Sequence, residues 1–178
     1  MKKAAVVLLF AAASFAQDHP APSHPRAGCG VGNMQYEVKT EKADKKNSPA
    51  PSPDKALAYV VENQRAACLL CDTITRVGVD GTWIGATKGN SYFSFPLDPG
   101  EHHLCADLQA VSSSSETTSL TSFTAEASKT YYFRVRLTDQ NNSGRGGVDW
   151  AVDLELIDND EGQFLVSSYE VSSYKQKK

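Results

Sequence analysis

Apolar and polar residues alternate with a period of two along most of the chain from residue 55 onward. That spacing puts one side of a β-strand in a core and the other in water. It is plainest at 130–138, where Tyr131, Phe133, Val135 and Leu137 share one side and Thr130, Tyr132, Arg134 and Arg136 the other. Residues 149–157 repeat it, with Trp150, Val152, Leu154 and Leu156 set against Ala151, Asp153 and Glu155. The polar sides of these two segments carry opposite charges. If they are neighbours, Arg134 or Arg136 pairs with Asp153 or Glu155, each pair contributing about 0.2–1 kcal/mol. Residues 91–97 place Phe93, Phe95 and Leu97 opposite Tyr92 and Ser94. Residues 101–110 place Leu104, Ala106 and Leu108 opposite His103, Cys105 and Asp107. Residues 55–62 are apolar on both sides, as a central strand is.

Turn residues punctuate these runs. Asp80-Gly81, between 73–79 and 82–86, suits a type I′ hairpin, which needs positive φ at both central positions. Asp98-Pro99-Gly100 supplies a second turn. A serine-rich loop at Ser112–Ser115 precedes a short strand at 120–124, and Gly144, Gly146 and Gly147 mark the loop before residue 149. Asp158, with Glu161 three residues on and Phe164, Leu165 and Val166 after it, has the form of a capping box opening one short helix. The pattern predicts an all-β domain over 55–170: a single antiparallel β-sandwich of about seven to nine short strands with one short C-terminal helix.

The first 54 residues read differently. Lys2 and Lys3, an apolar run from Ala4 to Ala13, and small residues at Ser14 and Ala16 have the layout of a signal peptide over 1–16. Residues 17–54 are rich in Pro and Lys and read as a polar leader, with a possible extra strand at 34–40. Residues 171–178 read as a solvated basic tail. The apolar run at the start is too short to span a membrane. An exported protein is expected, periplasmic, in the cell envelope or extracellular. The formal charge of −3 over 178 residues gives no basic face for nucleic acid.

The runs Val77-Gly78-Val79-Asp80-Gly81-Thr82-Trp83-Ile84-Gly85, Ser91-Tyr92-Phe93 and Pro99-Gly100-Glu101-His102-His103-Leu104-Cys105 together resemble a bacterial family of small exported domains of unknown function. Phe123-Thr124-Ala125-Glu126-Ala127 and Lys129-Thr130-Tyr131-Tyr132-Phe133-Arg134 continue the likeness, as do Leu156-Ile157-Asp158 and Glu161-Gly162. The same motifs more loosely resemble the PEGA domain, a small surface-associated β module. The resemblance covers about residues 55–170; it implies a small exported β-sandwich without enzyme activity and supplies no catalytic residues.

Four cysteines, Cys29, Cys68, Cys71 and Cys105, allow three disulfide pairings. Cys105 points away from the apolar side of its strand, so its partner must lie over the outer face, and Cys29 is the available piece of chain. Cys29–Cys105 is the favoured pair, with Cys68 and Cys71 bridged locally or free. Closing a loop of about 76 residues is worth roughly 4 kcal/mol in the chain-entropy account. Two other uses compete for these residues. Gly28-Cys29 has the small residue that precedes a lipidated cysteine, although Arg26 stands where an aliphatic residue is expected. Cys68, Cys71, His103 and Cys105 form a Cys₃His set of zinc-ligand types. A thioredoxin-like role for Cys68-Leu69-Leu70-Cys71 would need a helix after the first cysteine, and Asp72-Thr73 opens none. No G-x-S-x-G elbow accompanies the histidines. Gly144-Arg145-Gly146-Gly147 joins two strands, where a phosphate cradle needs a helix N-terminus. Asn141-Asn142-Ser143 matches a glycosylation sequon. Trp83, Tyr92, Tyr131 and Tyr132 would suit a sugar-stacking platform if they shared a surface. The expectation is a non-enzymatic module without cofactor that meets an envelope protein or polysaccharide. The alternative is a metal-binding or redox-active protein using the Cys68/Cys71/His103/Cys105 set.

Overall fold

The computed structural model describes residues 28–43, 49–64, 73–109, 117–140 and 149–177. The signal-peptide region, Cys68, Cys71, the sequon at Asn141 and the 144–147 loop lie outside them, as does the side chain of Trp150. Ten strands and one helix follow in the order β1 (Tyr36–Glu41), β2 (Ala56–Glu62), β3 (Ile74–Val79), β4 (Thr82–Lys88), β5 (Ser91–Leu97), β6 (Gly100–Gln109), β7 (Thr118–Ala125), β8 (Thr130–Gln140), β9 (Asp149–Ile157), α1 (Asn159–Ser168) and β10 (Glu170–Gln176). They form a six-stranded sheet, β1-β10-β5-β2-β8-β9, and a four-stranded sheet, β4-β3-β6-β7. The all-β expectation holds. No described helix is long and apolar enough to cross a membrane.

Alternation places the core where the sequence puts it. Ala58, Val60, Phe93, Phe133, Val135, Val152 and Leu154 of the larger sheet meet Val77, Val79, Leu104, Ala106 and Leu108 of the smaller one in a single buried cluster. Phe95, Phe123, Tyr131 and Leu137 pack at its margin. At the edge of the two sheets, the Leu154 N–H donates to Ser119 Oγ at 3.0 Å, tying β9 to β7. Leu156 departs from its expected inward place and is about half exposed, because it ends β9 beyond the cover of the second sheet.

Both sheets also carry an apolar cluster on their outer faces. On the six-stranded sheet, Leu57, Tyr59, Val61, Tyr92 and Tyr132 are roofed by Leu165 of α1. Tyr59 stacks on Tyr132 with ring centroids 5.2 Å apart. This second layer is why β2 is apolar on both sides. Asp158 caps α1, accepting the Glu161 N–H at 2.8 Å. The return half of the expected capping box is missing: the Glu161 carboxylate instead binds Arg134, which also pairs with Glu155 across β8 and β9. Arg136 reaches the same Glu155 at 3.7 Å. One glutamate on each side of Arg134 thereby pins the helix to the sheet.

Three features differ from the sequence reading, the first being strand number, ten among the described residues where about seven to nine are expected. The six-stranded sheet is mixed rather than antiparallel, with parallel pairs β10–β5 and β2–β8. The supposed basic tail is β10, which pairs antiparallel with β1 from Tyr36↔Gln176 to Glu41↔Val171. The possible strand at 34–40 is present as β1, so the folded unit extends on both sides of 55–170. β10 lies between β1 and β5 but buries little, Ser172 being its one buried residue, so alternation alone conceals it.

Alanine normally stabilises a helix relative to glycine by about 1 kcal/mol. At Gly162 of α1 a Cβ would fall on the Tyr132 ring. Gly162→Ala is therefore expected to destabilise the protein by about 1–3 kcal/mol through overpacking. Urea unfolding decides the sign.

Candidate functional site

The residues with chemical potential are distributed over three places, and the structure gives each a different job. The first is the outer face of the four-stranded sheet. Cys105, fully buried, forms a disulfide with Cys29, their Cα atoms 4.9 Å apart. The segment around Cys29 lies flat on the sheet because glycine permits close approach. A Cβ on Gly28 would meet the Leu104 carbonyl carbon at 2.5 Å, and one on Gly78 would meet the Gly28 oxygen at 2.6 Å. Tyr36, Trp83 and Ala86 complete a small core there.

Arg76 holds the rest of this face together. Its guanidinium donates to the Met34 carbonyl at 2.8 Å and to Asn33 Oδ1 at 3.1 Å, and it pairs with Asp107, the residue opposite it on β6. Its charge lies 4.5 Å from the centre of the Trp83 ring, a cation–π distance. Asp107 also accepts from Thr118 Oγ1 at 2.6 Å. Both charged side chains are more than nine-tenths buried.

The second place is the pair of turns at Asp80-Gly81 and Asp98-Pro99-Gly100. Asp80 and Gly81 have φ of 49° and 83°, as the type I′ turn requires. Asp80 Oδ1 accepts the His103 N–H at 2.8 Å, and Oδ2 faces His102 Nδ1 at 2.6 Å. His102 Nε2 faces the Asp98 carbonyl at 2.7 Å. Two acceptors on the two ring nitrogens call for two N–H groups, which is the imidazolium form. Burial opposes that charge, but Asp80 and Asp98 outweigh it and raise the His102 pKa.

The third place is a polar cleft of about 840 Å³ where β1, the β4–β5 turn and the end of α1 come together. Its lining includes Lys39, Gln64, Lys88, Asn90, Tyr169 and Glu170. Gln64 leads inward from it: its amide Nε2 donates to Glu62 Oε1 at 2.7 Å and to Thr73 Oγ1 at 2.9 Å. Glu62 is a fully buried acid. Sequence reading passed over it, although its position in phase with Ala58 and Val60 on β2 marks an acid aimed at the core.

The predicted site residues fare unequally. Cys29 and Cys105 are joined as favoured. The sulfur of Cys29 is used in that bond and has no valence for a lipid thioether. Cys105 likewise has no thiolate to offer a metal, so the Cys68/Cys71/His103/Cys105 set loses a member, and Cys68 and Cys71 lie outside the described residues. The aromatic platform does not assemble: Trp83 is buried under Gly30, Tyr92 and Tyr132 lie beneath α1, and Tyr131 packs beside the inner core. No family model, curated protein or solved structure matches the chain.

Two outcomes test these assignments. Arg76→Met is expected to cost about 3–5 kcal/mol, because Asp107 keeps a buried charge without its partner. Adding Asp107→Leu is expected to restore much of that loss; equal stability of the single and double variants in urea would contradict it. His102 binds its proton more tightly folded than unfolded, so its contribution is full below about pH 6.5 and fades as pH rises through the raised folded value. Asp80→Asn is expected to flatten that part of a stability–pH curve.

Proposed function

We propose that the chain is an exported, non-enzymatic β-sandwich module, of the kind its hairpin motifs resemble, that binds a polysaccharide of the cell envelope through the polar cleft. The observation that carries the reading is the cleft itself, a large concavity edged by amide, hydroxyl and ammonium groups with Tyr169 among them. Amides and hydroxyls exchange hydrogen bonds with sugar hydroxyls, and an aromatic edge offers the apolar contact that sugar rings accept. The Cys29–Cys105 bond supports export, since disulfides persist in oxidising compartments. His102, Arg76 and Asp107, the residues a hydrolytic reading would first enlist, are already engaged in holding turns and the amino-terminal segment.

Retention on isolated envelope polysaccharide tests the proposal. Lys39→Glu combined with Thr40→Arg is expected to reduce retention at least tenfold while leaving the urea midpoint nearly unchanged. Unaltered retention, or retention abolished equally by removing envelope proteins, would overturn the polysaccharide reading. Export is tested separately: deleting residues 2–16 is expected to leave Cys29 and Cys105 alkylatable in cells.

A further inference from the structure

The inner ends of β2, β3, β4 and β5 form a polar plug in an otherwise apolar interior. Glu62 ends β2 and projects between the sheets in phase with Ala58 and Val60. Across from it, Thr75 and Thr87 are direct cross-strand partners on β3 and β4, both fully buried. Thr87 Oγ1 donates to Glu62 Oε2 at 2.7 Å, and Gln64, from the cleft side, donates to Oε1. Ser91, opposite Glu62 on β5, bonds Ser172 of β10 with oxygens 2.6 Å apart. Five strands thus meet at one carboxyl group and its neighbours.

We propose that Glu62 is a proton-held latch joining the two sheets beneath the cleft, closed while its carboxyl is protonated and loosened once that proton leaves. Burial alone would make an ionised carboxylate costly here. Its pKa is pushed up to about 7, burial prevailing over the bonds from Thr87 and Gln64 and the weaker pull of Thr75 and the Gly89 backbone. Geometry points the same way. Thr75 Oγ1 is buried and near enough to influence this carboxyl, yet it completes no full hydrogen bond among the described residues. A carboxylic acid has one O–H to give, and the neighbouring Thr75 hydroxyl is able to accept it once the carboxyl is protonated. The charged side chains on the packing strands face elsewhere. Arg76 and Asp107 lie on the outer face of the small sheet, and Arg134 on the outer face of the large one. Lys88, opposite Ile74, and Glu170 line the cleft, as does Lys39. None of them is among the groups that shift Glu62.

The sign follows from the two protonation states. The folded carboxyl keeps its proton to about pH 7, whereas the open form releases it near the ordinary 4.5. Opening that wets Glu62 is therefore least favoured below about 4.5, grows by up to roughly tenfold per pH unit toward 7, and levels off above. A bearing on ligand capture rests on the cleft being the binding site; the latch itself does not.

Amide-exchange protection factors at Glu62, Asn63 and Gln64, corrected for intrinsic rates, test it on the intact protein from pH 4 to 8. Protection is expected to fall between about 4.5 and 7 and then flatten, and Glu62→Gln is expected to abolish the fall. A flat wild-type profile, or an unchanged fall in Glu62→Gln, overturns the latch. Should that variant fail to fold, the carbon signal of the wild-type carboxyl decides: titration well above 4.5 supports the latch and titration near 4.5 overturns it. Because the readout uses no ligand, its failure is distinct from failure of the cleft reading.

Discussion

Each of the two sheets carries an apolar cluster on both sides, and that constraint shapes the remainder of the molecule. A sheet with one wet face needs a single partner; these need two covers each. The shared core covers the inner faces. Helix α1 covers the outer side of the large sheet, and the Gly28–Met34 stretch with β1 covers that of the small one. The two buried or half-buried arginine networks sit where these covers are fastened down. Arg134 holds the helix, and Arg76 with the disulfide holds the amino-terminal segment.

The fastenings differ in kind because the surfaces differ. The helix covers tyrosines, and two glutamates around one arginine at its rim suffice to position it. The amino-terminal segment lies on backbone at glycine-close range, over a small apolar cluster around Tyr36, Trp83 and Ala86. A covalent bond and a buried guanidinium supply what packing there cannot. Buried ion pairs are weak stabilisers in themselves but strongly penalise any arrangement that leaves one charge alone. Arg76 and Asp107 thus select one docking position for the segment.

How far these features were legible follows from what each residue reports. Phe133, Val135, Leu104 and Leu108 announce their faces, because burial of large apolar groups leaves a period-two trace. Parity also directed Cys105 outward and so toward Cys29. Parallel pairing left no such trace, since β2 with β8 satisfies the same alternation as an antiparallel pair. Strand β10 was concealed because its buried member is Ser172, satisfied by Ser91 instead of by apolar contact. Trp83 and the tyrosines were legible as aromatic but not as belonging to different layers, a matter of three-dimensional stacking. The cleft draws on residues from positions 38 to 170, a convergence that local pattern does not encode.

The pairing of β1 with β10 has a consequence for how the molecule is made. Residues 36–41 emerge early from any machinery that delivers the chain from its amino terminus, yet their hydrogen-bonding partner is at 171–176. The large sheet stays unfinished at that margin until residues 171–176 have been synthesised. Such far-flung contacts slow folding and leave strand margins available to neighbours in the meantime. Completion of the sheet waits for that strand, and chains ending before it leave β1 without its partner.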